Sequence, residues 1–167
     1  MRDTNFLDIL LIRGQSQKRV RAFTLIELLI TVAILGTLSA ISVPTYKNYV
    51  DESRISTAIV EIQKIAGVTE GFRAERGRLP NTLAEAGLPV QLDPWGRPYE
   101  YLRLEGVPPA DRLGHRKDRS NNPLNADFDL YSMGKDGRSQ PELGAPFACD
   151  DIVRANSGAY VGLASEY

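Results

Sequence analysis

Apolar residues follow three different patterns along this chain. From 23 to 43 the sequence reads FTLIELLITVAILGTLSAISV, a run of 21 residues broken by one charge, Glu27. A helix of that length crosses the ~30 Å hydrocarbon core of a bilayer. From 55 to 72 the pattern changes: Ile55, Ala58, Ile59, Ile62, Ile65, Ala66, Thr69 and Phe72 recur at three- and four-residue steps. This is the apolar stripe of an amphipathic helix, with Glu52, Glu61, Lys64, Glu70 and Arg73 elsewhere on its surface. The two stretches are contiguous and predict one helix from Phe23 to about Arg76, roughly 80 Å long. Pro44 should kink or locally loosen it, and Gly77 is placed to cap its end.

Beyond the helix the apolar runs are short. Residues 81–87 fit one helical turn with Asn81 or Thr82 as N-cap. DPWGRPY at 93–99 is a turn, and 99–104 alternates as a strand. Residues 105–126, rich in Pro, Gly and Asn, read as a long surface loop. DFDLYSM at 127–133 is a second strand, predicted to pair antiparallel with the first, and GKDGR is a tight turn after it. A third short strand is expected at 159–163, and 151–156 reads as one helical turn. With no second long helix available, the amphipathic half must cover the sheet. The expected class is α+β: one long N-terminal helix, transmembrane then amphipathic, packed on a small antiparallel sheet with a loop-rich C-terminal region. The expected segments are 1–22, 23–44, 45–76 and 77–167.

Composition alters this picture in one respect. The 167 residues hold 20 Lys+Arg and 21 Asp+Glu, the average of an ordinary soluble domain. The charge is segregated, however: residues 1–22 carry +3 and the remainder −4. A basic flank before one apolar span places the N-terminus in the cytoplasm and the rest outside. A net charge of −1 gives no footprint for nucleic acid. One cysteine, Cys149, and one histidine, His115, exclude a disulfide framework, a Cys/His zinc site and a His-dependent triad as economical readings. The Asp93/Trp95 and Asp136 turns supply no nucleophile–base pair, so no enzyme is expected. A cleaved secretory signal would need a shorter apolar region and a small-x-small site that Leu38, Ala40 and Ser42 only loosely suggest, whereas a plain membrane anchor accounts for the length of the run. Neither accounts for Glu27, because a carboxylate in the bilayer costs about 2.5–3.5 kcal/mol and usually has a partner.

The string Lys18-Arg19-Val20-Arg21-Ala22-Phe23-Thr24-Leu25-Ile26-Glu27-Leu28-Leu29 resembles a type IV prepilin signal. The resemblance implies a leader cut by a membrane peptidase between Ala22, where the family usually has Gly, and Phe23, which becomes the N-methylated first residue. Glu27 is then the fifth mature residue. Phe23, Glu27 and Pro44 match positions that serve helical assembly, with the Glu27 carboxylate pairing to a neighbour's terminal amine. GRLP, DPWGRPYEY and FDLYSMGKDG, in that order, resemble the major pseudopilin of type II secretion systems. Such a subunit polymerises into a periplasmic filament that drives protein export. It is anchored by a single inner-membrane span with its C-terminal domain in the periplasm. Its partners would be copies of itself, minor pseudopilins, the prepilin peptidase, and an assembly platform with its secretion ATPase. A surface pilin, serving adhesion, motility or DNA uptake, is the alternative.

The same resemblance implies calcium as a structural ion closing the C-terminal loop. Asp136, Asp150 or Asp151, and the Met133 backbone carbonyl would be ligands. Calcium takes six to eight oxygens, and the Pro/Gly-rich segment before Asp150 has no disulfide to close it. Other residues have plainer roles in view. Trp95 should pack its turn onto the helix, Tyr99 and Tyr101 should pack the strand, 115–119 should be a solvated basic loop, and Cys149 a free thiol.

Overall fold

The computed structural model describes residues 23–167. The described chain falls into two units divided between Val43 and Pro44. Helix α1, Leu25–Arg76, contributes to both and is not interrupted at Pro44, although proline lacks the N–H that a mid-helix position donates. In the first unit the apolar side chains of α1 are exposed, from Leu25 at 87% onward. This part of the helix is long and apolar enough to cross a membrane. Glycine in the left-handed conformation ends α1: the Gly77 N–H donates to the Arg73 carbonyl at 2.8 Å, with φ of +70°.

The second unit builds a four-stranded antiparallel sheet against its part of α1. The strands are β1 (Glu100–Arg103), β2 (Phe128–Ser132), β3 (Ile152–Ala155) and β4 (Tyr160–Leu163), and their spatial order follows the chain. Strands β1 and β2 pair as expected across the long loop, with Glu100 opposite Tyr131 and Arg103 opposite Phe128. The turn at 81–87 forms, and the Glu85 N–H is held by the Thr82 hydroxyl at 3.3 Å.

Strand alternation gives the sheet two different faces. Phe128 and Leu130 of β2 and Ile152 of β3 meet Ala58, Ile62 and Ile65 of α1, together with Leu79 and Tyr99. Trp95 packs against the same cluster from its turn, as expected. On the opposite face Val153 and Ala155 of β3 form a second cluster with Leu124, Leu143 and Ala164, drawn from the loops and the C-terminus. Tyrosine hydroxyls fasten β1: Tyr99 donates to Glu61 of α1 at 2.6 Å, and Tyr101 donates to the Pro80 carbonyl at 2.8 Å.

Two expectations need correction. Residues 151–156 do not make a helical turn. They contain β3, buried along its whole length between β2 and β4. Pairing on both edges and burial on both faces outweigh the weak local helical preference. The basic segment 115–119 is not uniformly solvated either, because Arg116 is only 1% exposed.

Candidate functional site

Two regions hold the residues singled out in the sequence. The first is the start of α1. Thr24 and Glu27 form a reciprocal capping box. The Thr24 N–H and hydroxyl donate to Glu27 Oε2 at 3.1 and 3.0 Å, and the Glu27 N–H donates to the Thr24 hydroxyl at 3.2 Å. Otherwise orphaned donors of the first turn are thereby satisfied, and the carboxylate lies near the positive end of the helix dipole. The pairing was legible as Thr-x-x-Glu ahead of an apolar run, a signal that the position-by-position family match passes over. Phe23 is 79% exposed beside it. Ala22, on the other side of the expected cut, lies outside the described residues.

The second region is the C-terminal loop structure. The strings DPWGRP and SMGKDG interlock. Asp93 is buried and accepts the Trp95 and Arg97 N–H groups at 3.0 and 2.9 Å, which shapes its own turn. Its second oxygen accepts the Ser132 hydroxyl at 2.6 Å, at the end of β2. Arg97 then reaches across to the carbonyls of Gly134, at 2.5 Å, and Lys135, at 3.2 Å. Gly134 is required here: at φ of +61° a Cβ would stand 2.1 Å from the Asp150 carbonyl oxygen.

The structure brings together only some of the residues proposed for calcium. Asp136 and Asp150 meet through the Asp136 N–H, which donates to Asp150 Oδ2 at 2.8 Å. Asp136 Oδ1 accepts the Arg138 N–H at 2.7 Å, as a turn aspartate does. The Met133–Gly134 stretch is alongside, since Gly134 touches the Asp150 backbone. Asp151 departs from this group. It is fully buried, and its Oδ2 lies 2.6 Å from Arg116 Nη2 and accepts the Ser139 hydroxyl at 2.6 Å. Its Oδ1 is buried without a hydrogen-bond partner, which a cation would satisfy. Yet a cation already binds this carboxylate, and among the described residues no three His, Cys, Asp or Glu side chains are placed to hold a metal. Of the four candidates, Asp136, Asp150 and the Met133–Gly134 stretch lie together, and Asp151 is turned to Arg116.

Burial pushes the Asp151 carboxyl up to about 6 against the opposing attraction of Arg116. A second buried arginine lies on the helix side of the sheet. Arg154 donates to both Asp127 oxygens at 2.9 and 2.6 Å and stacks 3.9 Å from the Phe128 ring centroid. Cys149 is a free, exposed thiol.

The prokaryotic N-terminal methylation motif matches residues 17–43. This interval contains the Ala22–Phe23 junction and Glu27. The chain is also similar to the fimbrial protein of Neisseria meningitidis serogroup A, at 30% identity over 139 residues, covering 81% of this chain and 79% of that one. The chain belongs to the type IV pilin-like family. Within this pilin-like group it is similar to the type II secretion system core protein G of Pseudomonas aeruginosa, 27% identical over 143 residues, 73% of this chain and 88% of the relative. The protein of the same name from Pectobacterium carotovorum is 29% identical over 132 residues, 74% of this chain and 81% of its own. No solved structure matches the chain. The exposed apolar start of α1 lies within the methylation motif.

Proposed function

We propose that the chain is a structural subunit, a pseudopilin, which polymerises through its N-terminal helix into the filament that drives type II protein secretion. The observation that carries this reading is the similarity to core protein G from several bacteria over most of both chains. A helix with an uncovered apolar surface supports a structural role. The subunit is held in the inner membrane by one span, with residues beyond it in the periplasm, in keeping with the basic leader. A prepilin peptidase removes 1–22, Phe23 receives the methyl group, and the assembly platform and secretion ATPase add subunits to one another and to minor pseudopilins.

The capping box gives Glu27 a defined task on either side of assembly. Before assembly its carboxylate is satisfied by Thr24 of its own helix. After cleavage Phe23 carries a terminal amine, and the carboxylate of one subunit pairs with that amine on its neighbour. The charge thus passes from one partner to another inside an apolar core, where an unpaired carboxylate would be costly. Pro44 falls at the foot of the second unit, where a missing backbone bond eases local opening of the helix.

Similarity to fimbrial proteins supports a surface pilin as the second reading. Deleting the gene and measuring exoprotein export beside twitching motility separates the two. Export should be lost and motility kept, with both restored by the wild-type gene. Retained export overturns the secretion reading.

A further inference from the structure

The segment between β2 and β3, 133–151, is long, rich in Pro and Gly, and joins two central strands. Closing such a loop has an entropic cost that some internal contact must offset. The contacts converge on Arg116. Its guanidinium donates to the Ser139 hydroxyl, to the Gln140 carbonyl at 2.7 Å and to Asp151 Oδ2 at 2.6 Å. Its plane lies 4.4 Å from the Tyr131 ring centroid. The Arg116 N–H donates to the buried Asp129 carboxylate at 2.6 Å, and its carbonyl accepts the Leu124 N–H at 2.8 Å, which fixes the backbone from which the side chain projects. The next residue continues the stitching: the Lys117 N–H donates to the Pro141 carbonyl at 2.8 Å, and the Lys117 carbonyl accepts the Leu143 N–H at 3.0 Å. Leu143 is thereby seated in the second apolar cluster.

We propose that Arg116 is the internal cation that closes the C-terminal loop, so that this subunit folds without calcium. A hydroxyl and a backbone carbonyl from the middle of the loop and a carboxylate from its end converge on one positive charge, the kind of oxygen set that a hard metal ion gathers. A guanidinium supplies the charge and several directed donors at once, and it stays protonated in the interior. Arg97 does the same on the outer side by capping the Gly134 and Lys135 carbonyls of the turn. A divalent ion on Asp151 would face the Arg116 charge across one carboxylate, and at that range like charges repel strongly. The proposal does not depend on whether the filament exports proteins or extends from the cell surface, because it concerns the folding of the single subunit.

The test uses the full chain purified in detergent, with melting of the folded unit followed by Trp95 fluorescence and by amide exchange over 133–151. Wild-type melting and exchange should be the same in EDTA as in millimolar calcium. A calcium site filled at about a hundredfold its Kd would raise the melting temperature by roughly 5–10 °C. A rise of that size in wild type, or faster exchange of 133–151 in EDTA, overturns the proposal. Arg116→Met should lower melting by roughly 10 °C, because it leaves the buried Asp151 carboxyl and the Gln140 carbonyl without their donor. Unchanged melting and unchanged exchange in Arg116→Met also overturn it. Should Arg116→Met not fold, the wild-type comparison in calcium and EDTA decides alone.

Discussion

Ile62→Ala tests whether the second half of α1 holds its unit together by packing on the sheet. Ile62 is 0% exposed and belongs to the cluster of Ala58, Ile65, Phe128, Leu130 and Ile152. Cutting the side chain back to Cβ loses about 2.4 kcal/mol of transfer energy at ~0.8 kcal/mol per carbon. A cavity term raises the total to about 3–4 kcal/mol, because helix and sheet backbones cannot collapse fully into the space. The matched control is Val60→Ala on the same helix, where the side chain is 62% exposed and the loss should stay within about 0.5 kcal/mol. The single tryptophan, Trp95, packs against this cluster and reports on this unit rather than on the exposed apolar start of α1. In thermal unfolding of the full chain in detergent, Ile62→Ala should lower the Trp95 midpoint by roughly 10 °C and Val60→Ala by a degree or two. Equal midpoints for the two variants would refute the claim that this face of α1 forms the core.

Two further outcomes follow from particular contacts. Gly134→Ala should cost about 2–5 kcal/mol, because it adds left-handed strain to a collision with the Asp150 carbonyl. Gly96→Ala, at φ of +86° with open space around it, should cost only about 1–2 kcal/mol in the same melting assay. Stability should also fall in acid for a stated reason. Burial alone would raise the Asp127 carboxyl, but hydrogen bonds from Arg154 and the Phe128 N–H hold it below its ordinary value. Its contribution is full above the unfolded-state pKa of about 3.9 and is lost as pH falls through the lower folded value. Burial instead pushes Asp129 up and Asp151 up to about 6, so they take protons in the fold first and stabilise it as pH drops toward the unfolded-state value of about 3.9. The Asp127 loss should therefore emerge below about pH 4, and Asp127→Asn should flatten that limb of the melting-temperature profile.

The long helix was readable because its signals are local and repeated. An unbroken apolar run, an Ile/Ala stripe at helical spacing and a glycine at the end each act within a few residues. Strands β1, β2 and β4 were readable from alternation between turn residues. Strand β3 was not, since Arg154 occupies what is a core position. Its pairing with Asp127, 27 residues earlier, and its stacking on Phe128 make that position tolerable. Arg116 was missed for the same reason: inside a run of basic residues it carries no periodic signal, and its partner Asp151 is 35 residues away. The two turn strings were each recognised, but their interlock through Asp93, Ser132 and Arg97 is a long-range relation that no window reveals. At the start of α1 the opposite holds. The Thr24–Glu27 capping box is wholly local and lay open to a reading by physical signal instead of by family position.

If Glu27 makes this helix an assembly element and not merely an anchor, its removal should spare insertion and block polymerisation. The direct measurement is the amount of sheared or cross-linked filament formed by Glu27→Ala at wild-type membrane levels, with the secretion machinery present. Insertion should be normal and filament should fall at least tenfold, because the neighbour's terminal amine loses its partner in an apolar core. Wild-type filament yield from Glu27→Ala would contradict it.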